Sequence, residues 1–258
     1  MKFKSGSGRL LWAATWRGWV FRVLVCLLFA ICIYHGLIVV RLFRLRDTNP
    51  DTTSMMEQRQ KESLARGTAW RREFVWVPYQ RISPNLARAV LAGEDIRFFQ
   101  HSGIDWRAIQ LATKQNWEEQ RFSRGASTVN QQLAKNLFLS SSKNPVRKLH
   151  EAVIALEMEW ILDERRILEL YLNIIEWGDG VYGAEAAARH YFNTSAAALD
   201  TEQAAFLAAI IPNPRANHDP HAYTPEVAER ISKIIRLMEH PWLNHTLLEA
   251  DAVQEGAP

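Results

Sequence analysis

The uncharged apolar run Val23–Val40 limits what this chain can fold into more than any other feature of its sequence. As an α-helix rising about 1.5 Å per residue, it would span roughly 27 Å, close to the hydrocarbon thickness of a bilayer. A buried core helix rarely stays apolar on every face over such a length. A cleaved signal peptide would be followed by small residues, whereas Arg41 and Arg44 follow this run. The sequence therefore predicts an uncleaved transmembrane anchor at 23–40.

Basic residues flank the predicted anchor unequally. Lysines and arginines without any acid precede it, at Lys2, Lys4, Arg9, Arg17 and Arg22. The segment that follows mixes arginines with Asp47 and Asp51. Because cytoplasmic flanks carry the excess of positive charge, we expect a cytoplasmic N-terminus at 1–22 and an exported body.

The rest of the chain divides into a short polar segment, one body and a tail. Asp47–Glu62 is polar and predicts a linker or a weak helix, within a linker that we place at 41–65. We expect one folded domain at 66–240 and a C-terminal tail at 241–258. Apolar residues make up 48% of the chain, which is enough to bury a core and excludes a disordered body.

Hydrophobic periodicity in the body is mainly that of α-helices. Phe74–Tyr79 is the only convincing strand-like run, and no alternation of strands and helices follows it. Leu149, Val153, Leu156 and Trp160 recur at helical spacing and predict one apolar stripe. Helix starts are predicted at Ser83-Pro84, at a capping box of Asp200 with Gln203, and at Thr224-Pro225.

Charge and cysteine content exclude several classes of protein. The net charge is +3 and the basic residues form no long run, so nothing indicates nucleic-acid binding. The two cysteines, Cys26 and Cys32, both lie in the predicted anchor. A disulfide scaffold, a cysteine metal site and a cysteine nucleophile are therefore excluded from the body.

A pair of carboxylates, Glu94 and Asp95, ends the apolar segment Ala89–Gly93. Partial burial at the end of an apolar helix raises the pKa of a carboxyl group, and the adjacent Asp95 would add like-charge repulsion. A glutamate in such a place can accept a proton near neutral pH. The alternative is an ordinary surface Glu-Asp pair that caps the next turn, and the pair alone leaves both open.

Residues 124–136 form a polar and basic segment that begins with a flexible Gly125. Ser127 or Thr128 can cap the helix that follows, and hydroxyls and amides at a helix N-terminus can bind an anion. Lys135 lies one to two turns further along the same helix. The alternative is a capped helix with a solvated face.

Arg147, Lys148 and Glu151 share one face of a predicted helix, because they are three and four residues apart. A carboxylate beside two cations could orient a diphosphate or a metal ion that carries one. The alternative is a surface salt bridge worth only a few tenths of a kcal/mol.

Together these segments resemble the peptidoglycan glycosyltransferases that polymerise lipid II, and most closely the monofunctional biosynthetic peptidoglycan transglycosylases. The similarity runs from about Trp76 to Pro214, and its motifs occur in the family's order. They are ED-x-x-F-x-x-H-x-G at Glu94–Gly103, G-x-S-T-x-x-Q-Q-x-x-K-N at Gly125–Asn136, R-K-x-x-E at Arg147–Glu151, I-L-x-x-Y-L-N at Ile167–Asn173, and GVYGAEAA at Gly180–Ala187.

The resemblance implies a mainly α, lysozyme-like helical glycosyltransferase domain after one N-terminal transmembrane helix. It implies that Glu94 is the general base and that Glu151 is the second catalytic residue, steadying the departing diphosphate. It further implies a set of substrate-binding residues, namely Asp95, His101, Ser127, Thr128, Gln131, Gln132, Lys135, Asn136, Arg147 and Lys148.

The resemblance also implies the setting of the reaction. The substrates would be lipid II and a lipid-linked glycan, at the periplasmic side of a bacterial inner membrane. Cell-wall synthesis or division proteins are the candidate partners. No cofactor is required, although a divalent cation, Mg²⁺ or Mn²⁺, could assist the diphosphate, and the sequence fixes no metal ligand.

One position departs from the family pattern. The family usually has a lysine three residues before Ile167, where this chain has Glu164 followed by Arg165 and Arg166. A phosphate contact from this position is therefore in doubt unless a neighbouring arginine replaces it. Two other functions stay open, a lysozyme-like hydrolase or lytic transglycosylase, and an inactive anchored module of the cell envelope.

Overall fold

The computed structural model describes residues 7–118, 126–142, 144–216, 218–240 and 243. The chain divides into two compact units, Met1–Leu42 and Phe43–Pro258. Gly125, at the start of the second motif, and the predicted tail at 241–258, except residue 243, lie outside the described residues.

The first unit is formed by most of one long helix, α1 (Ser7–Leu45). Its portion Trp16–Leu45 is the one helix among the described residues that is long and apolar enough to cross a membrane. Large apolar side chains such as Phe21, Leu28 and Phe29 are exposed along it. An unburied apolar helix of this length supports membrane anchoring, and it extends beyond the predicted 23–40 at both ends.

The second unit is mainly helical, as predicted. Its helices are α2 (Ser54–Ala65), α3 (Pro84–Glu94), α4 (Trp106–Glu118), α5 (Val129–Phe138), α6 (Pro145–Ile161), α7 (Glu164–Ile174), α8 (Ala184–Phe192), α9 (Thr201–Ile210) and α10 (Pro225–Met238). Single 3-10 turns occur at Tyr79–Arg81, Phe98–Gln100 and Ala196–Ala198. Of the two alternatives for the polar segment after the anchor, the structure has a helix in its second half. That helix buries Met55 and Met56 and packs on α5.

The predicted helix starts are confirmed by their capping hydrogen bonds. The Ser83 hydroxyl accepts from the backbone N–H of Asn85, and the Thr224 hydroxyl accepts from that of Val227. Asp200 and Gln203 form the expected reciprocal capping box. Short polar side chains satisfy backbone donors that a helix leaves open, which is why local sequence locates these ends.

The strand at the predicted run 74–79 is shorter than predicted, and it pairs with a hairpin to form a small sheet. It consists of β1 (Glu73–Phe74), β2 (Glu176–Gly178) and β3 (Val181–Tyr182), in the order β1-β3-β2. β1 pairs parallel with β3, and β2 pairs antiparallel with it. Strand pairing stops after Phe74 because Val77 bonds the Asn173 side chain through both its N–H and its C=O, and Pro78 has no N–H.

Two groups of packed helices position the candidate site. α3, α9 and α10 pack against one another, and α5 packs against α6 and α7. The last residue of α3 is Glu94, whose side chain hydrogen-bonds Gln132 of α5 and Arg230 of α10. The two groups therefore meet at this glutamate.

The predicted apolar stripe of α6 does not form the buried face of that helix. Leu149, Leu156 and Trp160 are exposed, the last by 79% of its surface. The buried face instead carries Glu151, Ile154, Ala155, Met158 and Ile161. The predicted helix and its stripe are therefore present, but helical spacing identifies an apolar face without saying whether another element covers it.

Candidate active site

Glu94 is held between two donors at the C-terminal end of α3. Its side chain is only 10% exposed. The Gln132 side-chain amide donates to Oε2 at 2.7 Å, and the Arg230 guanidinium donates to Oε1 at 2.7 Å. Tyr171 in turn donates its hydroxyl to Oε1 of Gln132 at 2.9 Å, which fixes the amide with its N–H toward the glutamate.

The electrostatics of Glu94 combine one raising influence with several lowering ones. Burial raises the pKa of the Glu94 carboxyl above its ordinary value. The hydrogen bond from Gln132 and the charges of Arg230 and Lys135 oppose that rise. The net pKa is raised, so this group accepts a proton more readily near neutral pH than an exposed glutamate does.

Asp95 turns away from Glu94 and ties the first motif to the second. Its Oδ2 accepts from the Val129 backbone N–H at 3.0 Å, at the N-terminus of α5, and lies 3.0 Å from Nε2 of His101. The Thr128 hydroxyl donates to the backbone carbonyl of Gly103 at 2.7 Å. These bonds hold the loop of the first motif against α5.

His101 and Gly103 belong to the same loop, and each is held in place by its surroundings. Burial by itself would lower the pKa of His101, but the hydrogen bond to Asp95 and that carboxylate's charge outweigh it, and the net pKa is raised. Gly103 has φ +74°, and a Cβ there would lie 2.8 Å from the carbonyl oxygen of Ala155. Only glycine accepts this close approach of the loop to α6.

A second carboxylate, Glu151, lies on the buried face of α6 and is only 3% exposed. Nη1 of Arg147 donates to its Oε2 at 2.5 Å, and the Lys148 ammonium donates to its Oε1. The Lys148 ammonium also donates to the Ser127 hydroxyl at 2.8 Å. The three residues of the third motif thus form a compact charge cluster bound to the start of the second.

Lys135 of α5 links the two carboxylates electrostatically. Burial lowers the pKa of its ammonium, and the charges of Arg147 and Lys148 lower it further. The charges of Glu151 and Glu94 act in the opposite direction. Among the described residues this ammonium makes no hydrogen bond, so its donors are available to an anion between the two acids.

The remaining predicted residues support α5. Gln131 completes a capping box by accepting from the Thr128 backbone N–H at 3.1 Å. Asn136 donates its side-chain amide to the Gln132 carbonyl at 2.8 Å. These contacts are structural, and the sugar- or phosphate-binding roles of Gln131 and Asn136 stay predictions.

Sequence reasoning missed two residues that contact the Glu94 cluster, Tyr171 and Arg230. Burial raises the pKa of Tyr171 well above its ordinary value, so its hydroxyl stays protonated and donates to Gln132. Arg230 stands beside Ile231 and one turn before Ile234, which are both buried on α10. The sequence contained one signal for Arg230, namely a cation within an apolar stripe, because a charged side chain in such a place needs a partner.

Glu164 stands at the start of α7, and its pKa is raised by burial. Nη2 of Arg166 donates to the Thr48 carbonyl at 2.9 Å and to the Asn49 side chain at 2.8 Å. Its Nη1 pairs with Glu169 at 2.8 Å. Arg166 is therefore committed to the segment after α1 and does not replace the family lysine at the carboxylate cluster.

The described residues contain no group of three or more His, Cys, Asp or Glu side chains able to hold a metal ion. Glu151 is the one carboxylate of its charge cluster, and both of its oxygens are occupied by cations. In this cluster the cationic side chains of Arg147 and Lys148 provide the positive charge.

A mainly helical body with two buried carboxylates, each paired with cations, is consistent with what the sequence motifs imply. The transglycosylase family model matches residues 60–239, and the chain belongs to that family.

Relatives of known name agree with the family match. A biosynthetic peptidoglycan transglycosylase from Chromobacterium violaceum is 45% identical over 221 residues, covering 86% of this chain and 96% of the relative. The protein of the same name from Nitrosomonas eutropha is 45% identical over 217 residues, covering 84% and 88%. That of Dechloromonas aromatica is 52% identical over 167 residues, covering 65% and 72%. The resemblance drawn from the motifs is confirmed.

Proposed function

We propose that this protein polymerises the glycan strands of peptidoglycan. It transfers the growing lipid-linked glycan onto the 4-hydroxyl of the N-acetylglucosamine of lipid II, with inversion, and releases polyprenyl diphosphate. The observation that carries the proposal is that the second motif contacts both carboxylate clusters. Gln132 donates to Glu94 at 2.7 Å, and Ser127 accepts from the Lys148 ammonium that also donates to Glu151. The names of the relatives support the same activity.

Glu94 acts as the general base. It takes the proton from the acceptor 4-hydroxyl while that oxygen attacks the anomeric carbon of the donor from the face opposite the diphosphate. Burial raises the pKa of the carboxyl, whereas Arg230 and Gln132 hold the side chain in place. A carboxylate has about four lone-pair sites, so two donors leave room for the substrate proton.

Lys135, Arg147 and Lys148 stabilise the departing diphosphate. As the bond from the anomeric carbon to the diphosphate oxygen breaks, negative charge grows on that oxygen, and preorganised cations stabilise it. Glu151 keeps Arg147 and Lys148 in position through direct hydrogen bonds. A charge-neutralised diphosphate leaves without protonation, so a general acid of the kind glycosidases use is unnecessary.

The membrane anchor has a direct use in this reaction. A substrate carried by a polyprenyl chain diffuses in the bilayer, so tethering the enzyme there raises its effective concentration. The excess of basic residues before the apolar run at 23–40 supports a cytoplasmic N-terminus and a periplasmic domain at the inner membrane. Other cell-wall synthesis or division proteins in the same membrane are its candidate partners.

The experiment combines purified full-length protein with labelled lipid II in detergent, followed by separation of the glycan products. We expect long glycan from the wild type and at least a 100-fold lower rate from Glu94→Gln, which keeps the shape but removes the base. Lys61→Gln, an exposed change on α2, is the matched control and should polymerise normally. Release of muropeptides from isolated peptidoglycan, without polymer, would instead identify a lytic enzyme. Unchanged polymerisation by Glu94→Gln would remove that residue from the mechanism.

A further inference from the structure

A cavity of about 280 Å³ lies apart from the carboxylate site, and four of its eleven lining residues are arginines. Its walls come from the second half of α2, the connection to β1, the turn between β2 and β3, and the loop after α9. The lining includes Arg59, Arg66, Arg71 and Arg215 but only two acids, Glu62 and Asp179. None of the residues in the Glu94 and Glu151 clusters contributes to it.

The acids of this arginine cavity do not neutralise its cations. Three guanidiniums converge on Glu62, with Arg59 at 3.0 Å, Arg215 at 3.7 Å and Arg66 at 3.8 Å. Arg66 is 58% exposed at the side chain, so its long contact leaves most of its donors unused. Arg71 makes no hydrogen bond or ion pair with a described residue. Two guanidiniums are therefore available to a ligand.

Guanidinium forks match the several acceptor oxygens of a phosphate group. The two available arginines of the cavity therefore define the chemistry of its ligand.

We propose that the arginine cavity binds a phosphate group, and that the group belongs to the headgroup of an anionic phospholipid. Three of the cavity's arginines, Arg59, Arg66 and Arg71, follow the end of α1 at Leu45 by only 14 to 26 residues along the chain. Arginines close to the end of a transmembrane helix attract anionic headgroups. The proposal is independent of the polymerase activity, because the cavity uses neither carboxylate.

The test uses full-length protein in uncharged detergent and compares three soluble probes. These are short-chain phosphatidylglycerol, short-chain phosphatidylcholine and inorganic phosphate, with binding followed by native mass spectrometry for the lipids and calorimetry for phosphate. Arg66→Gln with Arg71→Gln removes the two available guanidiniums. Lys61→Gln removes an exposed cation of the same helix that does not line the cavity and serves as the matched control.

We expect the wild type and Lys61→Gln to hold one phosphatidylglycerol at least 10-fold more tightly than phosphatidylcholine, and the double variant to lose that preference. If inorganic phosphate binds the wild type as tightly as phosphatidylglycerol does and is lost in the double variant, that result would support a phosphate site but assign it to a soluble ion. Equal binding of every probe by the wild type and the double variant would overturn the proposal. Lipid II polymerisation in detergent should be unchanged in the double variant, so failure here leaves the proposed function intact.

Discussion

At the scale of single residues, Glu94 illustrates what local sequence can and cannot predict. Its position at the end of an apolar helix predicted a desolvated carboxyl, and burial does raise its pKa. Arg230, which opposes that shift, lies 136 residues further along the chain. No local pattern predicts a contact across such a distance, because it depends on how α10 packs on α3.

Replacing Arg230 should shift the pH dependence of polymerisation. Without its charge the pKa of Glu94 rises further, since the guanidinium lowers it in the wild type. The base must be deprotonated, so in Arg230→Gln the acidic limb of the rate profile should move to higher pH and the rate at pH 7 should fall. Initial rates between pH 5 and 9 measure the shift, with Arg236→Gln, an exposed change on the same helix, as control. A lower rate with an unshifted limb would mean that Arg230 acts on folding alone.

His101 should make stability depend on pH. Its pKa is raised in the folded protein, so its contribution is complete below the unfolded-state pKa of about 6.5 and is lost as pH rises through the folded value. The melting temperature of the wild type should therefore fall more than that of His101→Gln between pH 6 and 8. Parallel curves for the two proteins would exclude the His101–Asp95 ion pair as the source.

At the scale of secondary-structure elements, local sequence signals predicted where helices begin better than they predicted which helix faces are buried. Capping side chains identified the starts of α3, α9 and α10 because the bonds that cap a helix span only two or three residues. The buried face of α6 was not predicted, since its apolar side chains point away from the packed body. The short β1 was not predicted either, because the distant Asn173 takes the backbone bonds of Val77.

Helix α10 delivers Arg230, so its packing on α3 should affect both stability and rate. Ile234 is only 1% exposed, and it contacts the backbone of α3 at Gly93, where an added Cβ would come within 3.2 Å of it. Ile234→Ala should lower the free energy of unfolding by about 2–5 kcal/mol and reduce polymerisation. Thermal melts and lipid II assays test this, and exposed Lys233→Ala should change the free energy by no more than about 0.5 kcal/mol. An Ile234→Ala protein as stable as the wild type would show that α10 packs loosely.

At the scale of the whole molecule, the sequence alone was sufficient to predict an anchor followed by a helical enzyme domain. An apolar run long enough to span a bilayer has few other uses, and five ordered motifs identify a family better than any one of them. The division between a transmembrane helix and a catalytic body therefore follows from composition and motifs. How the helices of the body pack and which residues meet in its site could be determined only from the structure.

The proposed orientation can be tested by labelling from outside the inner membrane. In a Cys26→Ser, Cys32→Ser background, Lys114→Cys places a thiol at a side chain that is 76% exposed on α4. Because the domain should be periplasmic, a membrane-impermeant maleimide should label it in spheroplasts. Ser5→Cys, before the anchor, should react only after lysis and serves as the control. The reverse pattern would place the domain in the cytoplasm.

The bond between Glu94 and Arg230 has a consequence for biogenesis. A nascent chain that has emerged from the ribosome only as far as α9 already contains every residue of the recognised motifs, yet its glutamate lacks the guanidinium from α10. Full activity at neutral pH should therefore arise only after α10 has been translated and has docked on α3.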